Sequence, residues 1–190
     1  RQIIDNELES ENLYSKDIRT REIGRHLKYY KEEANYNIYK YYQNEGIEYF
    51  ICYESHDKKA LFGFLRLRFP SKNYTPVFNI LKNRSLIREL HIYGTTKSVG
   101  FNSKNKTTAQ HIGIGSNLLK IAEKISRNNF YDGIVIISGE GVKEYYKKRG
   151  YTDIETFMVK DFIFIKYLMI FVKYILNIFN NFNNLNNLSV

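Results

Sequence analysis

Cysteine is nearly absent from this chain of 190 residues, because Cys52 is the only one. A single thiol cannot build a disulfide framework, a thiolate zinc site or an iron–sulfur cluster, and four scattered histidines predict no metal cluster either. The sequence shows no secretory signal peptide, and it begins with Arg1 rather than Met. We therefore expect a fragment of a protein that works in a reducing compartment.

Acidic residues are scarce in the later part of the chain. Residues 1–60 carry 10 Lys/Arg and 12 Asp/Glu, whereas residues 61–190 carry 19 and 8, a net charge of +11. Such an excess is typical of a protein that attracts phosphate-rich ligands or RNA, although a solvated basic surface has the same composition. It disfavours a basic peptide as the substrate, because like charges repel.

Length and composition predict one folded domain with extensions, since 43% of the residues are hydrophobic. We assign residues 1–24 to a polar lead-in, residues 25–161 to the folded domain and residues 162–190 to a tail. Within the lead-in, charges of both signs alternate from Asp17 to Glu22. This pattern is typical of an exposed, salt-bridged connector, and a basic linker that touches RNA phosphates is the alternative.

In the first part of the predicted domain, the spacing of apolar residues changes after residue 46 to one typical of strands. Residues 25–44 have apolar side chains at mixed spacing, which we interpret as a short strand followed by a helix that ends at Asn44-Glu45-Gly46. Residues 47–53 and 61–69 are rich in β-branched and aromatic residues and flank a turn at 55–58, which predicts two antiparallel strands. The second strand alternates, with Arg66 and Arg68 on one face and Leu65 and Leu67 on the other.

The second part predicts a βαβ unit. Residues 85–93 alternate and are expected to form the central strand, and residues 133–139 are an apolar run bounded by glycines, which indicates a buried strand parallel to its neighbour. A helix between them is indicated by apolar residues at helical spacing, namely Ile114, Leu118, Leu119, Ile121, Ala122 and Ile125. A short helix over 142–149 is closed by Gly150 as its C-terminal cap.

The segment that leads into the predicted helix reads Gln-His-Ile-Gly-Ile-Gly over 110–115. Two glycines at a loop-to-helix junction let backbone N–H groups approach an anion, and the helix dipole favours negative charge there. A P-loop would need Lys and then Ser or Thr after the second glycine, and a dinucleotide fingerprint would need a third glycine near Leu118. The remaining interpretations are a pyrophosphate-binding loop of another kind and a tight turn between packed elements.

The pattern Gln-x-x-Gly-x-Gly resembles the acetyl-CoA loop of the Gcn5-related N-acetyltransferase (GNAT) family. Residues 144–151 also resemble this family, whose aromatic-Tyr-x-x-x-Gly-aromatic segment carries a tyrosine beside the cofactor sulfur. The resemblance implies a GNAT acyltransferase fold of the α/β (α+β) class, with a mixed central sheet, a splayed central strand and flanking helices. It also implies acetyl-CoA as the cofactor.

The same resemblance implies a role for each matching residue. Backbone groups of the central strand would pair with the pantetheine arm, and loop residues would hold the pyrophosphate. Tyr146 would protonate the departing thiolate or place the acetyl group. The expected cofactor-binding residues are Glu89, Leu90, His91, Ile92, Gln110, Gly113, Ile114, Gly115, Ser116 and Tyr146. Glu89 and His91 share one face of the strand, where a general base could lie, but a histidine satisfied by a carboxylate is the alternative, and we assign neither as the base.

Four sequence blocks narrow the resemblance to one member family of the acetyltransferases, because they occur in the order and at the spacing of that family. Residues 88–94, 110–115, 137–142 and 145–151, with 17–22 upstream, are similar to the acetyltransferase domain of the Elongator catalytic-subunit family. That resemblance covers about Asp17 to Lys160. It implies that residues 1–24 lead in from a missing radical-SAM domain, which would hold the iron–sulfur cluster and S-adenosylmethionine.

The Elongator resemblance also implies partners and a reaction. The partners would be tRNA and other Elongator subunits, and the reaction would be carboxymethyl-type modification of the wobble uridine in the cytoplasm, with the nucleus as the alternative. This fragment is expected to bind and cleave acetyl-CoA without modifying uridine. One alternative is a non-catalytic module that binds acyl-CoA or tRNA, and turnover that depends on Tyr146 would separate it from the enzyme. The other alternative is a histone or protein lysine acetyltransferase.

The tail begins with an apolar run over 162–179 that is interrupted by Lys166, Lys173 and Asn177, and an asparagine-rich segment follows. A spanning helix needs about 20 apolar residues, and lysines within it are costly. Lysines near both ends permit a short anchor facing the cytosol, as some members of the resembled family carry, or an interfacial helix. The alternative is a final strand over 156–164 followed by an apolar helix packed on the domain.

Overall fold

The computed structural model describes residues 2–11, 13–71, 73–93 and 113–162, together with 167, 171, 172, 174–176 and 178 of the tail. The chain divides into two compact units. Unit one comprises residues 1–74 and 87–122, and unit two comprises residues 75–86 and 123–190. Strands and helices are present in both units, so the predicted mixed α/β class is confirmed.

Unit one contains a helix and antiparallel strands. Helix α1 spans Gln2–Ser10, and the strands are β1 Asn35–Gln43, β2 Gly46–Glu54, β3 Leu61–Phe69 and the later part of β4 Arg84–Ile92. The strand order is β1-β2-β3-β4, and β2 is antiparallel to both β1 and β3. Among the described residues, the largest fully buried side chains here are Ile23, Ile51, Leu61, Phe62, Phe64, Leu65, Leu67, Ile87, Leu118 and Leu119. The predictions for β2, β3 and the turn between them are confirmed.

The prediction of a short strand followed by a helix over residues 25–44 is wrong in both parts. This stretch forms a 3-10 helix at Leu27–Lys31 and then strand β1. Gln43 pairs with Gly46, so the hairpin turn has two residues, Asn44 and Glu45, with φ of 45° and 57°. A Cβ on Gly46 would lie 2.5 Å from the Phe69 carbonyl oxygen. The residues that we interpreted as a helix end therefore make a tight hairpin between two strands.

The connector from Asp17 to Glu22 is packed against the sheet at its end. Glu22 makes a parallel bridge with Leu61, and the Leu61 N–H donates to the Arg21 carbonyl oxygen. Arg21 also forms an ion pair with the fully buried Glu54. The expectation of an exposed connector is therefore wrong at this end, because its charge pairs inside unit one.

Unit two is built around a βαβ connection. Helix α2 Ile114–Asn128 ends here and is followed by β5 Gly133–Ile137, α3 Lys143–Lys147, β6 Thr152–Ile154 and β7 Phe157–Asp161. The strand order is β4-β5-β7-β6, with β7 antiparallel to β5 and β6. The Asp132 N–H donates to the Asn83 carbonyl oxygen, and the Ser85 hydroxyl donates to the Gly133 carbonyl oxygen. The first residues of β4 and β5 therefore lie side by side, and the two strands run in the same direction. The predicted βαβ unit is confirmed.

The end of the chain is described only in part. Strand β7 confirms the predicted final strand, whereas the three-residue β6 was not predicted. The described tail residues from 167 to 178 are helical, and their apolar side chains are exposed. Within the described part of the chain, no helix has the length and apolar character needed to cross a bilayer. Lys166, Lys173 and the polar segment 97–109 lie outside the described residues.

Candidate functional site

The later half of β4 is the exposed part of that strand. Ser85 and Ile87 are buried, whereas His91 and Ile92 at the other end are exposed. Strand β3 lies close beside this end, since a Cβ on Gly63 would lie 2.8 Å from Ile92 Cδ1 and 3.0 Å from the His91 carbonyl oxygen. The backbone from Glu89 to Ile92 therefore lies at a partly exposed strand end in unit one.

The side chains of Glu89 and His91 have separate surroundings. The His91 ring stacks on Phe64 at 6.0 Å between centroids and also contacts Tyr93 at 4.5 Å. Glu89 Oε2 lies 3.9 Å from Arg66 Nη1. The described contacts of His91 are thus aromatic, and they assign no acid–base role to either residue.

The loop-to-helix junction starts at Gly113, which has φ of 98°, a conformation that residues with a Cβ rarely adopt. A Cβ built there would meet no atom of the described residues within 4 Å. The Asn117 N–H donates to the Gly113 carbonyl oxygen at 2.9 Å and starts the helical ladder of α2. Ile114 and Gly115 are buried and Ser116 is half-buried, while Gln110 lies outside the described residues.

The start of α2 has the properties of an anion-binding site. N–H groups in the first turn of an α-helix have no acceptor within the helix, and the helix dipole adds partial positive charge. The first turn of α2, all of which is described, carries no acidic residue that would repel an anion. The geometry therefore fits the pyrophosphate of a bound nucleotide cofactor.

Tyr146 is the buried member of the tyrosine pair on α3, with 6% of its surface exposed. Its ring makes edge contacts with Tyr145 at 5.3 Å and with Tyr151 at 5.9 Å. Burial and Tyr145 raise the pKa of Tyr146, against a smaller opposite effect of Arg149. The phenol therefore keeps its proton at neutral pH and can donate it.

Unit two contains a buried carboxylate that was not predicted from the sequence. Glu123 of α2 accepts hydrogen bonds from the Tyr151 hydroxyl at 3.0 Å and from Lys160 Nζ at 2.9 Å. Both bonds are to Oε1, and Arg127 Nη2 lies 3.2 Å from Oε2. A sequence signal existed, because Glu123 follows Ala122 within the apolar stripe of the helix.

The predicted site residues fall in both units. Unit one holds the residues of β4 and of the junction, and unit two holds Tyr146. In the described part of the chain, no group of three or more His, Cys, Asp or Glu side chains could hold a metal ion.

Comparison with known proteins identifies similar chains. No protein-family model matches this chain. Elongator complex protein 3 of Saccharomyces cerevisiae is 40% identical over 141 residues, which cover 72% of this chain and 25% of that protein. The tRNA uridine(34) acetyltransferase of Methanocaldococcus jannaschii is 36% identical over 160 residues, which cover 80% of this chain and 29% of that protein.

A solved structure is also similar. The archaeal Methanocaldococcus infernus Elp3 with an N-terminal deletion aligns with a TM-score of 0.66 and 29% identity, covering 85% of this chain and 38% of that one. This chain spans about a quarter of the length of the curated relatives named above. Over about three quarters of its own length, the chain is therefore a homologue of one part of Elongator complex protein 3.

Proposed function

We propose that this chain is an acetyl-CoA-dependent acyltransferase domain that acts with tRNA in modification of the wobble uridine. The observation that carries the proposal is the positive φ of Gly113 at the start of α2, in a chain that is 36% identical over 160 residues to a tRNA uridine(34) acetyltransferase. The fragment alone would bind and cleave acetyl-CoA. Modification of uridine would need the rest of the protein.

Acetyl-CoA, when bound, supplies an acetyl group as a reactive thioester. Backbone amides from Gly113 to Ser116 would hold its pyrophosphate, as the positive end of α2 favours. Gln110 stays a proposed cofactor-binding residue on the sequence motif alone. Backbone groups from Glu89 to Ile92 would pair with the pantetheine arm, and the exposure of this end of β4 supports that role.

Tyr146 would act on the thiolate of CoA, which is the leaving group, or on the thioester itself. Its raised pKa keeps the hydroxyl protonated, so the phenol can donate a proton to a departing thiolate or orient the thioester by a hydrogen bond. Neither Glu89 nor His91 is proposed as a base.

The proposed partners are tRNA and other Elongator subunits. The excess of +11 in residues 61–190 supports a polyanionic partner and disfavours basic histone tails. Radical chemistry with an iron–sulfur cluster and S-adenosylmethionine would belong to parts of the relatives that this chain does not match, because one cysteine cannot ligate a cluster. We propose the cytoplasm as the compartment.

The testing experiment measures release of free CoA from acetyl-CoA by the full chain alone, with tRNA, and with a lysine-rich peptide. We expect tRNA to stimulate release, and Tyr146→Phe to reduce the stimulated rate by about 10²-fold, as loss of a general acid does. Tyr145→Phe is the matched control, since it removes a hydroxyl from the neighbouring half-buried ring, and its rate should stay within about twofold.

Each other outcome changes the proposal. Stimulation by the peptide alone would reassign the chain to protein lysine acetylation. Binding of acetyl-CoA, measured by calorimetry, without turnover under any condition would make it a non-catalytic acyl-CoA-binding module. Full activity of Tyr146→Phe would remove Tyr146 from the reaction.

A further inference from the structure

The buried carboxylate of Glu123 is held by three donors from different parts of unit two. They are the hydroxyl of Tyr151, the ammonium group of Lys160 on β7 and the guanidinium of Arg127, at 3.0, 2.9 and 3.2 Å. A buried charge is tolerated only when it is paired and hydrogen-bonded, and a carboxylate with this many donors has little freedom to move. Glu123 is therefore a fixed anchor point.

Tyr151 is attached to this anchor at one end and to α3 at the other. Its hydroxyl donates to Glu123, while its backbone N–H donates to the Tyr146 carbonyl oxygen at 3.3 Å. Tyr151 is 3% exposed, and its ring meets the Tyr146 ring at an interplanar angle of 64°. The Tyr151 ring thus forms a rigid wall against Tyr146.

Lys160 also holds the chain just after the end of α3. Lys160 Nζ donates a second hydrogen bond, of 2.9 Å, to the Arg149 carbonyl oxygen. Gly150 follows with φ of 81°, which lets the chain turn sharply from the helix to Tyr151. Glu123 is therefore linked to the Tyr146 segment in two ways. One link is the Tyr151 ring, and the other is Lys160 of β7, which contacts the chain just after α3.

We propose that Tyr151, anchored by Glu123, is a positioning residue that holds the phenol of Tyr146 in its working orientation. The inference rests on the proposed function of Tyr146. A catalytic group must be held within about 0.5 Å of its productive position, and a displacement of about 1 Å can cost about 10²-fold in rate. The hydroxyl of Tyr151 is not itself placed at the reaction. It fixes the Tyr151 ring, and that ring contacts the ring of Tyr146.

The test is Tyr151→Phe, which keeps the ring and removes the hydroxyl anchor. We expect kcat for CoA release to fall about tenfold while KM for acetyl-CoA stays within about twofold, because orientation of the phenol changes and cofactor binding does not. Tyr29→Phe is the matched control. Tyr29 is also buried and donates to a carboxylate, Asp57, at 2.5 Å, but it lies in unit one.

A second measurement reads orientation without turnover. With 3-fluorotyrosine at position 146, we expect one sharp ¹⁹F resonance in the parent chain, and a broadened or split resonance in Tyr151→Phe but not in Tyr29→Phe. Glu123→Gln keeps an acceptor oxygen, so its kcat should exceed that of Glu123→Ala.

The outcomes separate this inference from the proposed function. Unchanged kcat and an unchanged ¹⁹F resonance in Tyr151→Phe would overturn positioning, even if Tyr146→Phe is inactive. An equal loss of kcat in Tyr29→Phe would also overturn it, because the cause would then be general destabilisation. If Tyr146→Phe is fully active, the proposed role of Tyr146 fails, and the ¹⁹F spectra still decide whether Tyr151 orders its ring.

Discussion

Both units bury carboxylates that accept hydrogen bonds from tyrosines and cations, but they use them differently. In unit one, Glu48 and Glu54 of β2 are fully buried and accept from Tyr41 and Tyr39 of the exposed strand β1. In unit two, Glu123 accepts from Tyr151, which is itself buried. The carboxylates of unit one thus attach the edge strand β1 to the sheet. The carboxylate of unit two instead holds Tyr151, whose ring contacts Tyr146, the residue with a proposed catalytic role.

Because of this difference, we expect variants in unit one to change the stability of the chain and variants around Glu123 to change its turnover of acetyl-CoA. Glu54 also accepts from Asn37 and pairs with Arg21, so it ties both β1 and the connector to β2. Its loss should unfold the chain more easily without changing the reaction of the folded fraction. Changes around Glu123 should lower turnover even when the chain stays folded.

The largest expected effect is that of Glu54→Ala. Removing one partner of a buried ion pair leaves the other charge uncompensated, and here Arg21 is only 14% exposed. We expect the free energy of unfolding, measured with urea, to fall by about 3–5 kcal/mol.

The control for this prediction is the double variant Arg21→Met with Glu54→Leu, which removes both charges. It should recover part of the loss, because apolar replacements of a buried pair are often neutral. A double variant as unstable as Glu54→Ala would mean that the loss does not come from an unpaired charge.

An intermediate effect is expected from Glu48, and it should depend on pH. Burial opposes the charged form, but hydrogen bonds from Arg66, Tyr41 and Arg88 outweigh burial and lower the pKa of Glu48 below its ordinary value of 4.5. With a lowered folded-state pKa, the contribution to stability is complete above the unfolded-state pKa and is lost as the pH falls through the folded-state pKa. Glu48→Gln should therefore cost about 2 kcal/mol near neutral pH and progressively less below about pH 4.

Urea unfolding of the parent chain and Glu48→Gln at several pH values between about 3 and 7 measures this effect. Glu45→Gln, in the exposed hairpin turn, should stay within about 0.5 kcal/mol of the parent at every pH. A cost of Glu48→Gln that is the same at all pH values would contradict a titrating carboxylate.

The smallest effect compares two neighbouring tyrosines of β1. The Tyr41 hydroxyl donates to Glu48 at 2.9 Å, whereas Tyr42 is 78% exposed. We expect Tyr41→Phe to lower the free energy of unfolding by about 1 kcal/mol and Tyr42→Phe to change it by less than about 0.5 kcal/mol. Equal effects in the two variants would mean that the buried carboxylate does not stabilise the edge strand.

Periodicity predicted the elements whose burial is regular. The 3.6-residue stripe of α2 corresponds to its buried side, and the alternation of arginine and leucine in β3 corresponds to its burial over residues 65–69, whereas residues 61–65 are all buried. Strand β1 was misread because it is exposed along almost its whole length, so no alternation of buried and exposed side chains marks it. The two-residue turn after it became evident only through its pairing with β2.

The candidate site was predictable where it depends on backbone conformation. Gly113 was predicted from its place before a helix, and the structure gives it a positive φ. The roles of Tyr146 and of the β4 backbone came from resemblance, and they stay predictions. Glu123 was missed because its partners Tyr151 and Lys160 are 28 and 37 residues away, a separation over which a single sequence gives no contact information.

Cys52 gives the chain a built-in reporter of opening. Its thiol is fully buried in the cluster with Leu61 and Phe64, and burial, with a contribution from Glu54, raises its pKa to about 12. Because only the exposed thiolate reacts readily, an alkylating reagent at mildly basic pH should modify the folded chain only through transient openings. The chain has one cysteine in 190 residues, and it lies in unit one. The rate at which the reagent modifies Cys52 therefore reports the opening of unit one without a signal from unit two.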